Sequence, residues 1–99
     1  MSYKIVLLQR AKIEIKDAYD WYENKANGLG DKFLIVLEKY KSLIVANPKL
    51  FKCTYKSFRE VPLQTFPFLL VYHIDEIKKE IIIVSVFHSS RNPKEKYKS

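Results

Sequence analysis

The residue types best suited to chemistry lie together at the end of the most apolar segment of this sequence. His88 and Arg91 belong to a polar run over residues 88–92, which follows six apolar residues interrupted only by Ser85. An imidazole can transfer a proton, and a guanidinium can bind an anion at two points. A histidine at the end of a strand is also commonly a plain surface residue. His88 and Arg91 are therefore candidates for a catalytic or anion-binding site. Whether they form one depends on how the surrounding helices and strands position them.

Positive charge is concentrated in two segments of the chain. The net charge is +7, and residues 49–60 and 88–99 contribute +3 each. In the first segment, Glu60 accompanies the basic residues Lys49, Lys52, Lys56 and Arg59. In the second, Glu95 accompanies the basic residues Arg91, Lys94, Lys96 and Lys98. Such clusters suit a nucleic acid or an acidic protein partner, although lysines also serve solubility alone.

The remaining composition favours one small domain without a metal or a cofactor. A chain of 99 residues that is 47% hydrophobic can bury one core. The single Cys53 cannot form an intramolecular disulfide, and His73 and His88 have no partners at metal-ligand spacing. The apolar run near the N-terminus is too short for a signal peptide, and no membrane-spanning run occurs. We therefore expect a cytoplasmic protein that does not bind membranes.

Hydrophobic periodicity predicts the order strand, helix, helix, strand, strand, strand. Residues 3–8 form a short apolar run typical of a strand, whereas apolar residues at threes and fours predict helices over 9–26 and 31–46. Gly28 suits a left-handed cap between the helices. The fold predicted is α+β, with a two-helix hairpin packed on one face of a four-stranded, mostly antiparallel sheet. The place of the first strand in that sheet stays open.

Three strand-like segments follow the second helix, over residues 57–64, 66–74 and 80–88. Pro62 lacks the N–H that a strand donates, so the first of these should be an edge strand or contain a bulge. The last has no polar face, which predicts an interior strand.

The helices carry more apolar residues than one buried face of each requires. The surplus residues lie off the main apolar stripes and are Ile13, Trp21, Leu34, Ile35 and Val45. Either neighbouring segments of the chain cover them, or they stay exposed to a partner or a second copy.

The ordered set of elements and local motifs resembles the RelE/ParE superfamily, the toxins of bacterial type II toxin–antitoxin systems. The resemblance spans nearly the whole chain and rests on the motifs DWYE, NGLGDKF, NP after the second helix, FREV, FPFLLVYHI and VFHSSRNP. It implies a small basic toxin that an antitoxin wraps and inactivates, as a hetero-oligomer. RelE-like members cleave messenger RNA on the ribosome, whereas ParE-like members poison DNA gyrase. The fold does not decide between these targets.

The chain could fill each chemical role of a nuclease. Metal-free RNA cleavage needs a base for the 2′-OH, an acid for the leaving oxygen and cations for the phosphate. His88 could be the acid or base, Glu60 the base and Tyr97 a stacking or proton-donating group. The candidate cations are Lys52, Lys56, Arg59 and Arg91, and further target contacts are expected from Lys94 and Lys96.

We expect Arg59, His88 and Arg91 to converge on one basic concave surface, with Lys52, Lys56 and residues 94–98 at its rim. One departure from the family counts against nuclease activity. RelE-like nucleases typically carry an arginine where this chain has Leu69. Many ParE-like members have that arginine too, so the departure favours neither target and predicts a weak or absent nuclease. A non-enzymatic protein that only binds an acidic antitoxin is the alternative.

Overall fold

The computed structural model describes residues 3–90, which form two helices and five strands. In chain order these are β1 (Lys4–Leu7), α1 (Gln9–Lys25), α2 (Leu29–Ala46), β2 (Cys53–Tyr55), β3 (Phe58–Pro62), β4 (Phe68–Asp75) and β5 (Glu80–His88). The predicted α+β class is confirmed, with one strand more than the four expected. Neither helix within the described range has the length and apolar content to cross a membrane.

The five strands form one mixed sheet in the order β1-β5-β4-β3-β2. β1 runs parallel to β5, and the other neighbouring strands are antiparallel. The prediction that β5 is an interior strand is confirmed. Its residues Ile81, Ile83, Val84 and Val86 are each at most 2% exposed. β5 is the longest strand, and its last residue, His88, pairs with Phe68 of β4.

Pro62 predicts that β3 is an edge strand or contains a bulge. β3 is not an edge strand, because β2 pairs outside it, and its pairing with β4 has no register shift. β2 pairs only with Phe58 and Arg59 and therefore leaves the other end of β3 uncovered. The N–H of Leu63 donates to Phe68 O of β4 at 2.9 Å. The preceding residue, Pro62, would direct its N–H the opposite way, to the uncovered side. Its missing donor thus costs no hydrogen bond within the sheet.

The turn between the helices is formed by two glycines and one carboxylate. Gly28 has φ of +85° and caps α2 in the left-handed conformation, as its sequence position predicts. Glu23 of α1 accepts the N–H groups of Gly28 and Gly30, each at 3.0 Å. These amides lie at the start of α2, where a helix leaves its N–H groups without intrahelical partners. α2 therefore begins at Leu29, two residues earlier than predicted.

Both helices pack on the sheet through an aromatic core. The centroid of the Phe33 ring lies 5.3 to 5.6 Å from the ring centroids of Tyr22, Phe66 and Phe68. Tyr72 is fully buried, and its hydroxyl donates to Pro48 O at 2.7 Å. Burial raises the pKa of Tyr72 to about 12. This tyrosine therefore stays neutral while it fixes the loop after α2 to the sheet.

Candidate functional site

A groove lies between α1 and the adjoining ends of β4 and β5. Its volume is about 300 Å³, near the lower end of the range for ligand pockets. The lining residues are Glu14, Asp17, Ala18, Trp21, Tyr22, Phe68 and His88. The groove thus contains the candidate histidine, and the other ionisable residues between 3 and 90 that line it are Glu14, Asp17 and Tyr22.

His88 is held in the groove by its neighbours. Its ring meets Phe68 edge to face, with centroids 5.0 Å apart, because the two residues pair across β4 and β5. Its Nδ1 accepts the N–H of Ser90 at 3.1 Å, and the Ser90 hydroxyl lies 2.6 Å from the same atom. Since a backbone N–H can only donate, Nδ1 carries the lone pair and the ring proton resides on Nε2. In this geometry the imidazole presents a donor to the surroundings.

Glu14 forms the inner wall of the groove and is fully engaged. Its Oε1 accepts the Ser85 hydroxyl at 2.8 Å and the N–H of Val86 at 3.0 Å. Its Oε2 pairs with Arg10 Nε at 3.2 Å, and only 11% of the Glu14 side chain is exposed. This carboxylate holds α1 against β5 and is not available as a free base.

The outer wall is exposed and combines an acid with an aromatic ring. Asp17 makes no hydrogen bond or ion pair with any residue between 3 and 90. Trp21, one turn further along α1, is 59% exposed. Lys25 Nζ lies 4.3 Å from the centroid of the Trp21 ring, a cation–π contact.

The structure does not bring Arg59 to His88. Arg59 pairs with Tyr72 in the sheet, whereas His88 pairs with Phe68. Both side chains lie on the side of the sheet that faces the helices. Their pairing partners on β4, Tyr72 and Phe68, are four positions apart, which is about 13 Å along the strand. The Arg59 guanidinium instead donates to Phe51 O at 2.6 Å. The register therefore keeps Arg59 from contacting His88, and the expected convergence of Arg59, His88 and Arg91 on one surface stays a prediction.

The other predicted residues of the first basic segment lie with Arg59 near the β2 edge of the sheet. Lys52 is exposed just before β2, and Lys56 lies in the β2–β3 turn with its Nζ 5.3 Å from the Tyr55 ring. Glu60 follows Arg59 and so lies on the opposite face of β3. Glu60 is thus not near His88. Four further candidates, namely Arg91, Lys94, Lys96 and Tyr97, lie outside the described residues.

Three of the five surplus apolar residues are exposed. The exposed fractions are 51% for Ile13, 59% for Trp21 and 68% for Ile35. Leu34 and Val45 are instead half-buried and pack against the core, so they are largely covered by the chain itself. Binding of an antitoxin to the exposed residues stays a prediction.

Sequence reasoning missed most of the groove. Glu14, Asp17, Tyr22 and Phe68 were not among the predicted site residues, although all line it. One signal was present, because Glu14, Asp17 and Trp21 recur at threes and fours along one side of α1. No group of metal-ligating side chains occurs in the described part of the chain.

Comparisons with known proteins agree with this fold. A structure of the chromosomal ParDE system from P. aeruginosa superposes with a TM-score of 0.73 at 18% identity, covering 87% of this chain and 95% of that chain. The intact E. coli RelBE toxin–antitoxin complex gives 0.71 at 20% identity, covering 90% and 99%. An archaeal RelE–RelB complex from Pyrococcus horikoshii gives 0.53 at 12% identity, covering 93% and 100%.

At these identities the structural similarity establishes the fold alone. No curated protein matches the sequence significantly. The family model described as "ParE toxin of type II toxin-antitoxin system, parDE" matches residues 5–93, which is most of the chain. The resemblance inferred from the motifs is therefore confirmed, and the chain belongs to the ParE toxin family within the RelE/ParE superfamily.

Proposed function

We propose that this protein inhibits bacterial growth by binding DNA gyrase, and that a cognate antitoxin neutralises it in a hetero-oligomer. The observation that carries the choice of target is the position of His88. This residue, the best candidate for proton transfer in the chain, lies in a groove with two carboxylates and without Arg59. A site for phosphodiester cleavage needs cations around the phosphate.

The electrostatics of the described residues argue against RNA cleavage. Asp17 has an unpaired carboxylate, which would repel a phosphate brought close to His88. Arg59 is held by the carbonyl of Phe51, and no arginine stands at Leu69. A target that is itself a protein does not require a phosphate site. The basic residues of segments 49–60 and 88–99 can then serve for docking to that protein.

One observation favours the alternative, cleavage of messenger RNA. His88 lines the groove, where an imidazole in its doubly protonated form could protonate a leaving oxygen as a general acid. The acid would then act without a described base beside it, because Glu14 is engaged and Glu60 lies across the sheet.

Controlled expression in a bacterial host tests the proposal. We expect growth to stop while plasmid supercoiling is lost and messenger RNA stays intact. His88→Ala should leave most of the toxicity, whereas removal of residues 91–99 should abolish it, because that basic segment is expected to contact the target. Rapid breakdown of messages that depends on His88 would favour the nuclease. Unchanged growth would favour a protein that only binds its antitoxin.

A further inference from the structure

The groove beside α1 differs in charge from the chain as a whole. The protein has a net charge of +7, yet among residues 3–90 the charged side chains that line the groove are Glu14 and Asp17. Glu14 is neutralised by Arg10 and bound to the backbone of β5. The carboxylate of Asp17 is exposed and has no hydrogen bond or ion pair within residues 3–90. Among the described residues, Asp17 therefore gives the groove one exposed carboxylate that is not engaged in a hydrogen bond or an ion pair.

The rest of the groove is largely aromatic. Trp21, Tyr22 and Phe68 line it together with the ring of His88. Aromatic faces attract cations, and Trp21 already holds Lys25 Nζ at 4.3 Å. A guanidinium suits such a site better than an ammonium, because it is planar, stacks on rings and is more weakly hydrated.

We propose that this groove binds an arginine side chain from a segment of a partner protein. The guanidinium pairs with Asp17 and lies against Trp21, and the apolar stem contacts the aromatic wall. A volume of about 300 Å³ is sufficient for one long side chain. The exposed carboxylate of Asp17 disfavours binding of a phosphate group. Under the proposed function the partner is the antitoxin, and only this identification rests on that function.

The site can be tested directly because Trp21 is the only tryptophan of the chain, so its fluorescence reports on the groove. The probe is a blocked tripeptide with a central arginine, titrated to ~20 mM, above the millimolar affinity expected of one side chain. The control peptide carries citrulline, which has nearly the same shape without the charge. We expect a saturable change with the arginine peptide and at least fivefold weaker binding of the citrulline peptide.

Two variants that each remove one negative charge from α1 distinguish binding at the groove from a general electrostatic effect of the protein's charge. Asp17→Asn should weaken binding of the arginine peptide at least fivefold. Asp20→Asn should leave it within twofold, because Asp20 is absent from the groove lining and pairs with Lys16 at 2.7 Å. Circular dichroism confirms that both variants are folded.

The proposal is overturned by the absence of a saturable change, by equal binding of both peptides, or by equal effects of the two substitutions. Growth inhibition is measured separately with the same wild-type protein. A protein that binds the arginine peptide but does not inhibit growth would contradict the proposed function and leave the arginine site established.

Discussion

Glu14 of α1 continues the hydrogen bonding of β5 beyond the end of β1. The parallel pairing of β1 reaches only Ile83, and the last bond runs from Leu8 N to Ile83 O at 3.1 Å. Further along β5, Glu14 Oε1 accepts the N–H of Val86 at 3.0 Å. A side chain thus supplies the acceptor that a longer strand would provide. The same contact positions the helix that carries Asp17 and Trp21.

Glu14→Ala should destabilise the protein by about 1 to 3 kcal/mol, because it leaves the Val86 amide and the Ser85 hydroxyl without their acceptor. Glu14→Gln keeps an acceptor oxygen and should cost less. Urea denaturation of the two variants measures the difference. Equal stability of Glu14→Ala and the wild type would show that the contact contributes nothing.

Ile83→Ala should lower the free energy of unfolding by ~2 to 5 kcal/mol, since Ile83 is completely buried in the interior strand. Ile35→Ala removes the same atoms from a helical residue that is 68% exposed, and it should change stability by less than about 0.5 kcal/mol. Thermal or urea unfolding compares the two. If both substitutions cost the same, the burial assigned to β5 is incorrect.

The two glycines of the helical turn should differ in what they tolerate. A Cβ at Gly30 would lie 2.8 Å from both the backbone and the ring of Tyr19, so Gly30→Ala must displace α1 from α2. At Gly28 no atom lies within 4 Å of a Cβ, and the cost comes from φ of +85°. Gly28→Ala should therefore cost about 1 to 2 kcal/mol, and Gly28→Asn less. Similar costs for Ala and Asn at position 28 would contradict the left-handed conformation.

The ion pairs around Glu76 should make stability depend on pH at the acid end. The hydrogen bond from Tyr3 lowers the pKa of Glu76, and Lys49 and Lys79 lower it further. A lowered pKa in the folded state stabilises the protein above pH ~4.5, and this contribution is lost as the pH falls through the folded value.

The difference in unfolding free energy between the wild type and Glu76→Gln should therefore shrink from pH 7 to pH 3. Chemical denaturation at several pH values measures it. A difference that stays constant over this range would show that the lowered pKa of Glu76 has no effect on stability.

Periodicity predicted the fold well because most elements bury one side. The helices and the long strands carry clear apolar patterns, whereas the three residues of β2 are all exposed and leave no such pattern. The groove could not be predicted in the same way. Asp17 and His88 come from elements far apart in sequence. They line the same groove because β1 pairs parallel to β5 and α1 follows β1.

The position of Arg59 depended on register in the same way. The alternation of side chains along β3 and β4 predicts the face of the sheet on which each side chain lies. It does not predict which residue of the neighbouring strand lies opposite. Only the pairing of Arg59 with Tyr72 shows that it lies far from His88.

The most direct test of the proposed target is supercoiling by purified DNA gyrase in the presence of the purified protein. We expect the wild type to inhibit supercoiling in a dose-dependent way, with His88→Ala retaining most of the potency because no proton transfer is involved. The same preparations should leave messenger RNA intact on translating ribosomes. Unaffected gyrase together with cleavage of messenger RNA that is lost in His88→Ala would contradict the proposed target.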